Sequence, residues 1–165
     1  MLIKSIDDKS KLLALLEELL QSPVLNARQK DWAEEELLRV REGVRGERDA
    51  AHYIDAFFGN GKYHAVLHDL RISVEGEVAQ IDHLIIARDL VFYLLETKSF
   101  GGDVTINEYG EFSVKYPGRP TYGIPSPFEQ SRRHEQVLRK LLNKLEITGR
   151  AGRDLKFEHV VLIHP

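Results

Sequence analysis

The segment Glu96-Thr97-Lys98 places a carboxylate and an ammonium group two positions apart, directly after a largely apolar run over residues 91–95. Such a run predicts a buried strand whose C-terminal end carries the charged pair. Residues two apart on a strand project from the same face, roughly 7 Å apart, so Glu96 and Lys98 can enter one site while Thr97 faces away. Because charged groups at the end of a buried strand need partners or a metal, the pattern predicts a metal ligand beside a cation.

A second carboxylate, Asp82, lies among apolar residues in the preceding predicted strand. If the turn between the two strands is centred on Asp89, antiparallel pairing places Asp82 opposite Glu96, about 5 Å away at the β-carbon, so the two acids could share one divalent ion. A slip of one residue would send Asp82 to the other face. The alternative for Asp82, Glu96 and Lys98 is a buried ion-pair network that serves stability alone.

Two further polar residues are candidates for the same site. Glu47, near the start of a predicted helix, could add a third carboxylate from above the sheet, or could be an exposed first-turn glutamate favoured by the helix dipole. Gln130 lies on the apolar stripe of a later helix and so could point inward, although such residues often only satisfy neighbouring polar groups.

Helical periodicity predicts three helices before the strands. Leucines at helical spacing, Leu13 and Leu16 among them, follow the possible caps Asp7 and Asp8 and predict a helix to about Gln21. Asn26 with Gln29 predicts a second capped helix to about residue 42. We expect these two helices to form a hairpin over residues 1–42, with Gly43 ending the second and a third running over about 46–58.

The middle of the chain changes to strand character. Val-, Ile- and Leu-rich segments over 63–73, 78–87 and 90–99 predict a three-stranded antiparallel meander. Weaker strands are expected at 104–106 and 112–116, then a Pro/Gly-rich loop over 117–125. Ser126, Pro127 and Glu129 predict a capping box opening a helix to about 145. A last strand at 157–163 follows a helix and can lie parallel to an earlier strand, so an α/β fold with a mixed central sheet is expected.

Composition limits the class of protein. Without cysteine, disulfide frameworks, thiol nucleophiles and thiolate zinc sites are excluded. No signal peptide or membrane-length apolar run is present, which favours a cytoplasmic protein without membrane attachment. The chain ends directly after a strand, which suggests a fragment of a longer protein.

Charge is distributed unevenly along the chain. The net charge is −3, yet residues 115–156 carry ten basic and four acidic residues, a local +6, which leaves −9 for the remainder. A basic C-terminal third could contact phosphates; an ordinary solvated helix face is the alternative. The basic residues are Lys115, Arg119, Arg132, Arg133, Arg139, Lys140, Lys144, Arg150, Arg153 and Lys156.

The ordered motifs resemble the nuclease-related (NERD) domain, a family placed in the PD-(D/E)xK nuclease superfamily. The likeness covers about residues 43–163 and rests on Gly46-Glu47, Gln80-Ile81-Asp82-His83, Glu96-Thr97-Lys98, Gly101 and Gln130. It implies a restriction-endonuclease-like αβββαβ core within residues 43–165. Ile81 stands where the superfamily has proline, a departure that affects strand shape and removes no ligand.

The resemblance also implies roles for individual residues. Asp82 and Glu96 would bind Mg²⁺, or Mn²⁺ in its place, with the Thr97 carbonyl as a further ligand. Glu47 would assist the metal site. Lys98 would orient or activate the attacking water, and Gln130 would contact substrate or support the site.

Three functions follow as hypotheses. The first is a magnesium-dependent nuclease that hydrolyses phosphodiester bonds in DNA, with RNA less favoured. The second is a module that binds nucleic acid without cleaving it. The third is a structural or interaction domain, including a homo-oligomer, that uses the leucine-rich hairpin as its docking surface.

Overall fold

The computed structural model describes residues 1–149 and 154–164, which contain a five-stranded sheet and a separate three-stranded one. The large sheet has the strand order β1-β2-β3-β4-β8 and the small one β5-β6-β7. The strands are β1 (Leu2–Lys4), β2 (His64–Val74), β3 (Glu77–Ala87), β4 (Val91–Ser99), β5 (Asp103–Ile106), β6 (Phe112–Lys115), β7 (Thr121–Ile124) and β8 (Lys156–His164).

The large sheet is mixed. Strands β2, β3 and β4 form the predicted antiparallel meander, with tight turns that include Glu75, Gly76 and Leu90 at positive φ. Strand β8 pairs with β4 in parallel along its full length, and β1 pairs in parallel with β2. The prediction that the last strand lies parallel to an earlier one is therefore confirmed.

The helices are α1 (Ser10–Leu20), α2 (Ala27–Ile54) and α3 (Pro127–Lys144), and a π-helical turn, Asp55–Gly59, follows α2. The predicted Asn26 capping box is present: the Asn26 side chain accepts from the Gln29 N–H, and the Gln29 side chain accepts from the Asn26 N–H. The prediction that Gly43 ends this helix is wrong. A single glycine costs only about 1 kcal/mol in a helix, and α2 has buried residues on both sides of Gly43, including Leu37 and Ala51.

This continuity changes the place of Glu47, which lies in the second half of a 28-residue helix and not in a first turn. It also means that α2 crosses the proposed boundary between residues 42 and 43. The division into a hairpin and a core domain stays a prediction.

Three local features differ from the sequence-based expectation. Strand β1 was not predicted, because three residues give too little periodicity. Strand β7 lies within the segment expected to be a loop. Helix α3 begins where predicted, but Ser126 makes no side-chain capping bond, and Glu129 instead pairs with Arg132 at 2.5 Å.

The sheet is packed on both faces. One core cluster includes Leu84, Leu94 and Leu138 of α3, and a second includes Ile54 of α2 with Val66 and Leu95. These clusters anchor both helices that carry candidate site residues.

The alternation of side chains is interrupted in β2 and β3. Leu67 and Leu70, three residues apart, contact the same core cluster, as do Ile81 and Leu84, which regular alternation cannot produce. Asp69 has a φ of +48° within the first interval, and Asp82 lies in the second. The irregularity thus coincides with two acidic residues.

Among the residues described, no helix has the length and apolar character needed to cross a bilayer.

Candidate active site

The register of β3 and β4 positions the predicted acids. Pairing runs from His83 opposite Leu95 to Ile86 opposite Phe92, which is the register of a turn centred on Asp89. The ladder ends at His83, one residue before Asp82, so the pairing of Asp82 with Glu96 stays a prediction. The Asp82 carboxylate accepts a 2.8 Å hydrogen bond from the backbone N–H of Thr97, so it is held at the segment that carries Glu96 and Lys98.

Lys98 joins two of the other predicted residues. Its ammonium group donates to the Glu96 carboxylate at 2.8 Å and to the Gln130 side-chain oxygen at 3.0 Å. His134, one turn further along α3, has its Nδ1 3.8 Å from the second Glu96 oxygen. Gln130 therefore points inward, and α3 supplies two polar side chains to the end of β4.

The surroundings of Asp82 and Glu96 disfavour the charged form of both carboxylates. Burial, with the Glu96 charge as the next cause, raises the pKa of Asp82 to about 7. Burial also raises the pKa of Glu96, against the lowering effect of its bond to Lys98. A pair of adjacent acids with raised pKa values is a functional-site signature that ion-pair networks can also produce.

Glu47 reaches the same region from α2 and already has a cationic partner. Its carboxylate accepts a bond from the Lys9 ammonium group, which also contacts Asp69 at 3.1 Å. The Glu47 charge raises the pKa of both Asp82 and Glu96, so these carboxylates interact electrostatically. Sequence reasoning missed Lys9 and Asp69, although an acid inside the apolar strand β2 was a usable signal.

A buried chain of hydrogen bonds supports the site from the α2 side. Asp55 lies 3.1 Å from His68 Nε2, the two histidine Nδ1 atoms of His68 and His83 are 2.7 Å apart, and His83 Nε2 is 3.1 Å from the Thr97 hydroxyl. Burial and the neighbouring His68 lower the pKa of His83 to about 4. A neutral His83 can accept a hydrogen bond from the Thr97 hydroxyl at Nε2 and donate one to His68 from Nδ1, and its side chain is buried.

The side chains at this site bear on the magnesium ion that the resemblance implies. Within residues 1–149 and 154–164, no group of three or more histidine, aspartate and glutamate side chains is already arranged to hold a metal ion. Mg²⁺ does not require such a group, because it commonly binds one or two carboxylates and keeps several waters. Half-buried Asp82 and buried Glu96 fit that chemistry, because the charge of Glu96 disfavours that of Asp82 and a bound cation would offset this repulsion.

The predicted basic surface is partly neutralised. On α3, Arg132 pairs with Glu129, Arg139 with Glu135, and Lys140 with Glu77. Arg150 and Arg153 lie outside the described residues. The exposed basic side chains of this helix can still contact phosphate, but their ion pairs reduce the field that the sequence count suggests.

Comparison with known families agrees with the motif analysis. The family model described as the nuclease-related domain (NERD) matches residues 42–164, which is most of the chain. The chain therefore belongs to the nuclease-related domain family. Comparisons with curated proteins and with solved structures found no match.

Proposed function

We propose that this protein is a magnesium-dependent nuclease-type domain that hydrolyses phosphodiester bonds in DNA. The observation that supports it most is the Thr97 N–H bond to Asp82, which holds one acid beside the Glu96 and Lys98 pair. Membership of the nuclease-related family makes nucleic acid the expected class of substrate. In fold terms, we propose that α2, β2, β3, β4, α3 and β8 correspond to the restriction-endonuclease-like αβββαβ core, with β5–β7 inserted.

In this proposal Asp82 and Glu96 hold the cation, with the Thr97 carbonyl as a further ligand and Glu47 assisting from α2. When bound there, Mg²⁺ would neutralise phosphate charge and make the attacking water easier to deprotonate. Lys98 supplies a fixed positive charge, restrained by Glu96 and Gln130, that can orient an attacking water. Gln130 keeps its amide nitrogen for substrate, because its oxygen accepts from Lys98.

The direct test is incubation of end-labelled DNA with Mg²⁺ or Mn²⁺ and the wild-type protein, Asp82→Ala or Lys98→Ala. Cleavage is expected only with wild type and a divalent ion. Lys62→Ala, which removes an exposed lysine before β2 and outside the basic helix, is the matched control and should cleave normally. Cleavage that survives both site substitutions would come from a contaminant. A parallel RNA substrate decides which nucleic acid is cut.

A nucleic-acid-binding module without turnover is the second candidate. The observation that favours it is that lysine ammonium groups already bond Glu47, Asp69 and Glu96. Binding without cleavage, with affinity that falls steeply as salt rises, would support this function.

The third hypothesis, a docking or self-association surface on the N-terminal helices, rests on the exposed leucines of α1. Leu13 and Leu16 are half-buried, so they are poor sites to test self-association, whereas Leu12, Leu15 and Leu19 are exposed along α1. A mass that rises with concentration, and that falls when Leu15 becomes Lys, would support an oligomer built on this face.

A further inference from the structure

Lys9 brings a positive charge to the candidate site from a segment outside the matched family region. Its ammonium group bonds the Glu47 carboxylate of α2 and lies 3.1 Å from the Asp69 carboxylate of β2. Only 20% of the Lys9 side chain is exposed. The family model matches residues 42–164. Glu47 and Asp69 therefore lie within the matched region, whereas Lys9 lies outside it.

The position of Lys9 is fixed by more than its own ion pairs. The backbone N–H of Asp7 donates a 2.9 Å hydrogen bond to the other Asp69 oxygen. Asp69 is itself buried, at a φ of +48°. The segment before α1 is thus bound at two points to one buried carboxylate, which holds Lys9 over β2.

Asp69 and Glu47 are related to the acid pair in different ways. In the β2–β3 ladder, His68 pairs with His83 and Leu70 with Ile81, so Asp69 and Asp82 are the residues left unpaired between these two pairs on neighbouring strands. Glu47 acts electrostatically on Asp82 and Glu96. A charge that neutralises Glu47 and Asp69 therefore changes the potential at the acid pair.

We propose that Lys9 is a tethered counter-ion that neutralises Glu47 and Asp69 and thereby weakens divalent-cation binding at Asp82 and Glu96. This inference rests on the proposed function of that acid pair. Its physical basis is that the ammonium group removes negative charge that would otherwise attract the ion. Lys9 contacts Glu47 and Asp69 and does not touch substrate in this proposal, so it is a positioning residue and not a catalytic one.

The test measures Mn²⁺ affinity by calorimetry at fixed pH and ionic strength in the full chain. Lys9→Gln keeps hydrogen-bond donors for both carboxylates while removing the charge, so it is the variant most compatible with folding. We expect it to bind Mn²⁺ about 3- to 10-fold more tightly, the size of one charge change at several ångströms in a partly screened site. Lys9→Arg keeps the charge and should bind as wild type does.

A second variant separates neutralisation from a general structural effect. In Lys9→Gln, adding Glu47→Gln should reverse much of the gain, whereas Glu47→Gln alone should change the affinity less, because Lys9 already compensates that carboxylate. Lower or unchanged affinity in Lys9→Gln, with a wild-type melting temperature, would overturn the proposal. If Lys9→Gln does not fold, Lys9→Arg provides the second comparison, since arginine keeps the neutralising charge. Glu47→Gln should then change the Mn²⁺ affinity equally in Lys9→Arg and in wild type. A larger change in Lys9→Arg would overturn the proposal.

Asp82→Asn distinguishes this inference from the proposed function. Wild-type Mn²⁺ binding that does not depend on Asp82 refutes the function of the acid pair. Binding that depends on Asp82 but is unchanged by Lys9→Gln refutes the counter-ion role alone. Absence of binding in both wild type and Lys9→Gln refutes both proposals, while binding in Lys9→Gln alone supports the counter-ion role.

Discussion

Asp82 and His83, consecutive residues of β3, have pKa values shifted in opposite directions by the same cause. Burial raises the pKa of Asp82 to about 7 and lowers that of His83 to about 4. Folding therefore favours the uncharged form of both side chains.

Asp82→Asn should stabilise the metal-free protein while weakening cation binding. At pH 8 the charged form of half-buried Asp82 is disfavoured, whereas asparagine is neutral and can still accept the Thr97 N–H bond. We expect the free energy of unfolding to rise by about 1–3 kcal/mol, measured by urea denaturation in the presence of EDTA. Asp103→Asn, at an exposed position, is the control and should change little. A loss of stability would show that the Asp82 charge is well compensated.

The same variant should change how stability depends on pH. In the folded state Asp82 binds a proton more tightly than in the unfolded state, so its contribution to stability rises as pH falls from about 7 to 4. His83 binds its proton less tightly, so its contribution is lost as pH falls from about 6.5 to 4.

These opposite slopes largely offset each other in the wild type. Asp82→Asn removes the Asp82 contribution and leaves that of His83. The free energy of unfolding of the variant should therefore fall by about 2–3 kcal/mol between pH 6.5 and 4, while that of the metal-free wild type changes less. Urea denaturation at a series of pH values tests this. Parallel curves for the two proteins would contradict the assigned shifts.

Thr97→Val should destabilise the protein through His83. The substitution removes the hydroxyl that lies 3.1 Å from His83 Nε2 and leaves a buried imidazole nitrogen without its partner. A loss of about 1–3 kcal/mol is expected. Thr105→Val makes the same chemical change at an exposed position of β5 and should alter stability little or slightly raise it. Equal effects in the two variants would mean that the buried chain contributes nothing.

Two glycines of α2 should respond oppositely to alanine. A β-carbon at Gly46 would collide with the Ser99 hydroxyl and lie 3.3 Å from the His164 β-carbon, whereas one at Gly43 meets nothing within 4 Å. We expect Gly46→Ala to lose about 1–3 kcal/mol by overpacking and Gly43→Ala to gain about 0.5–1 kcal/mol. Thermal denaturation of the pair measures both, and a gain at Gly46 would show that α2 is not packed tightly on β4.

The parts of the site that sequence could predict depend on short-range geometry. The Glu96 and Lys98 spacing is two residues, so strand periodicity was sufficient for this pair. The turn centred on Asp89 gives the β3–β4 register as far as His83, but it does not give the interrupted alternation at Asp82. Gln130 was predicted because helical spacing aligns it with an apolar stripe. Each of these inferences needed only the period of one element or the length of one turn.

Lys9 and Asp69 could not be predicted in the same way. They are 60 residues apart and Lys9 is 38 residues from Glu47, and Lys9 lies before α1 with no periodic pattern to orient it. The error at Gly43 has a related cause, because local propensity indicated a break while tertiary packing on both sides of the glycine favours an unbroken helix.

The π-helical turn Asp55–Gly59 has a consequence for how this chain can vary. Asp55, its first residue, is fixed by His68, and β2 begins only a few residues later at His64. Because a π turn accommodates one more residue than an α turn, a residue inserted or deleted within Asp55–Gly59 would change the turn that sets the Asp55 carboxylate against the His68 imidazole. Natural length variation should therefore avoid this surface segment, despite its exposure, and accumulate in loops such as 117–120.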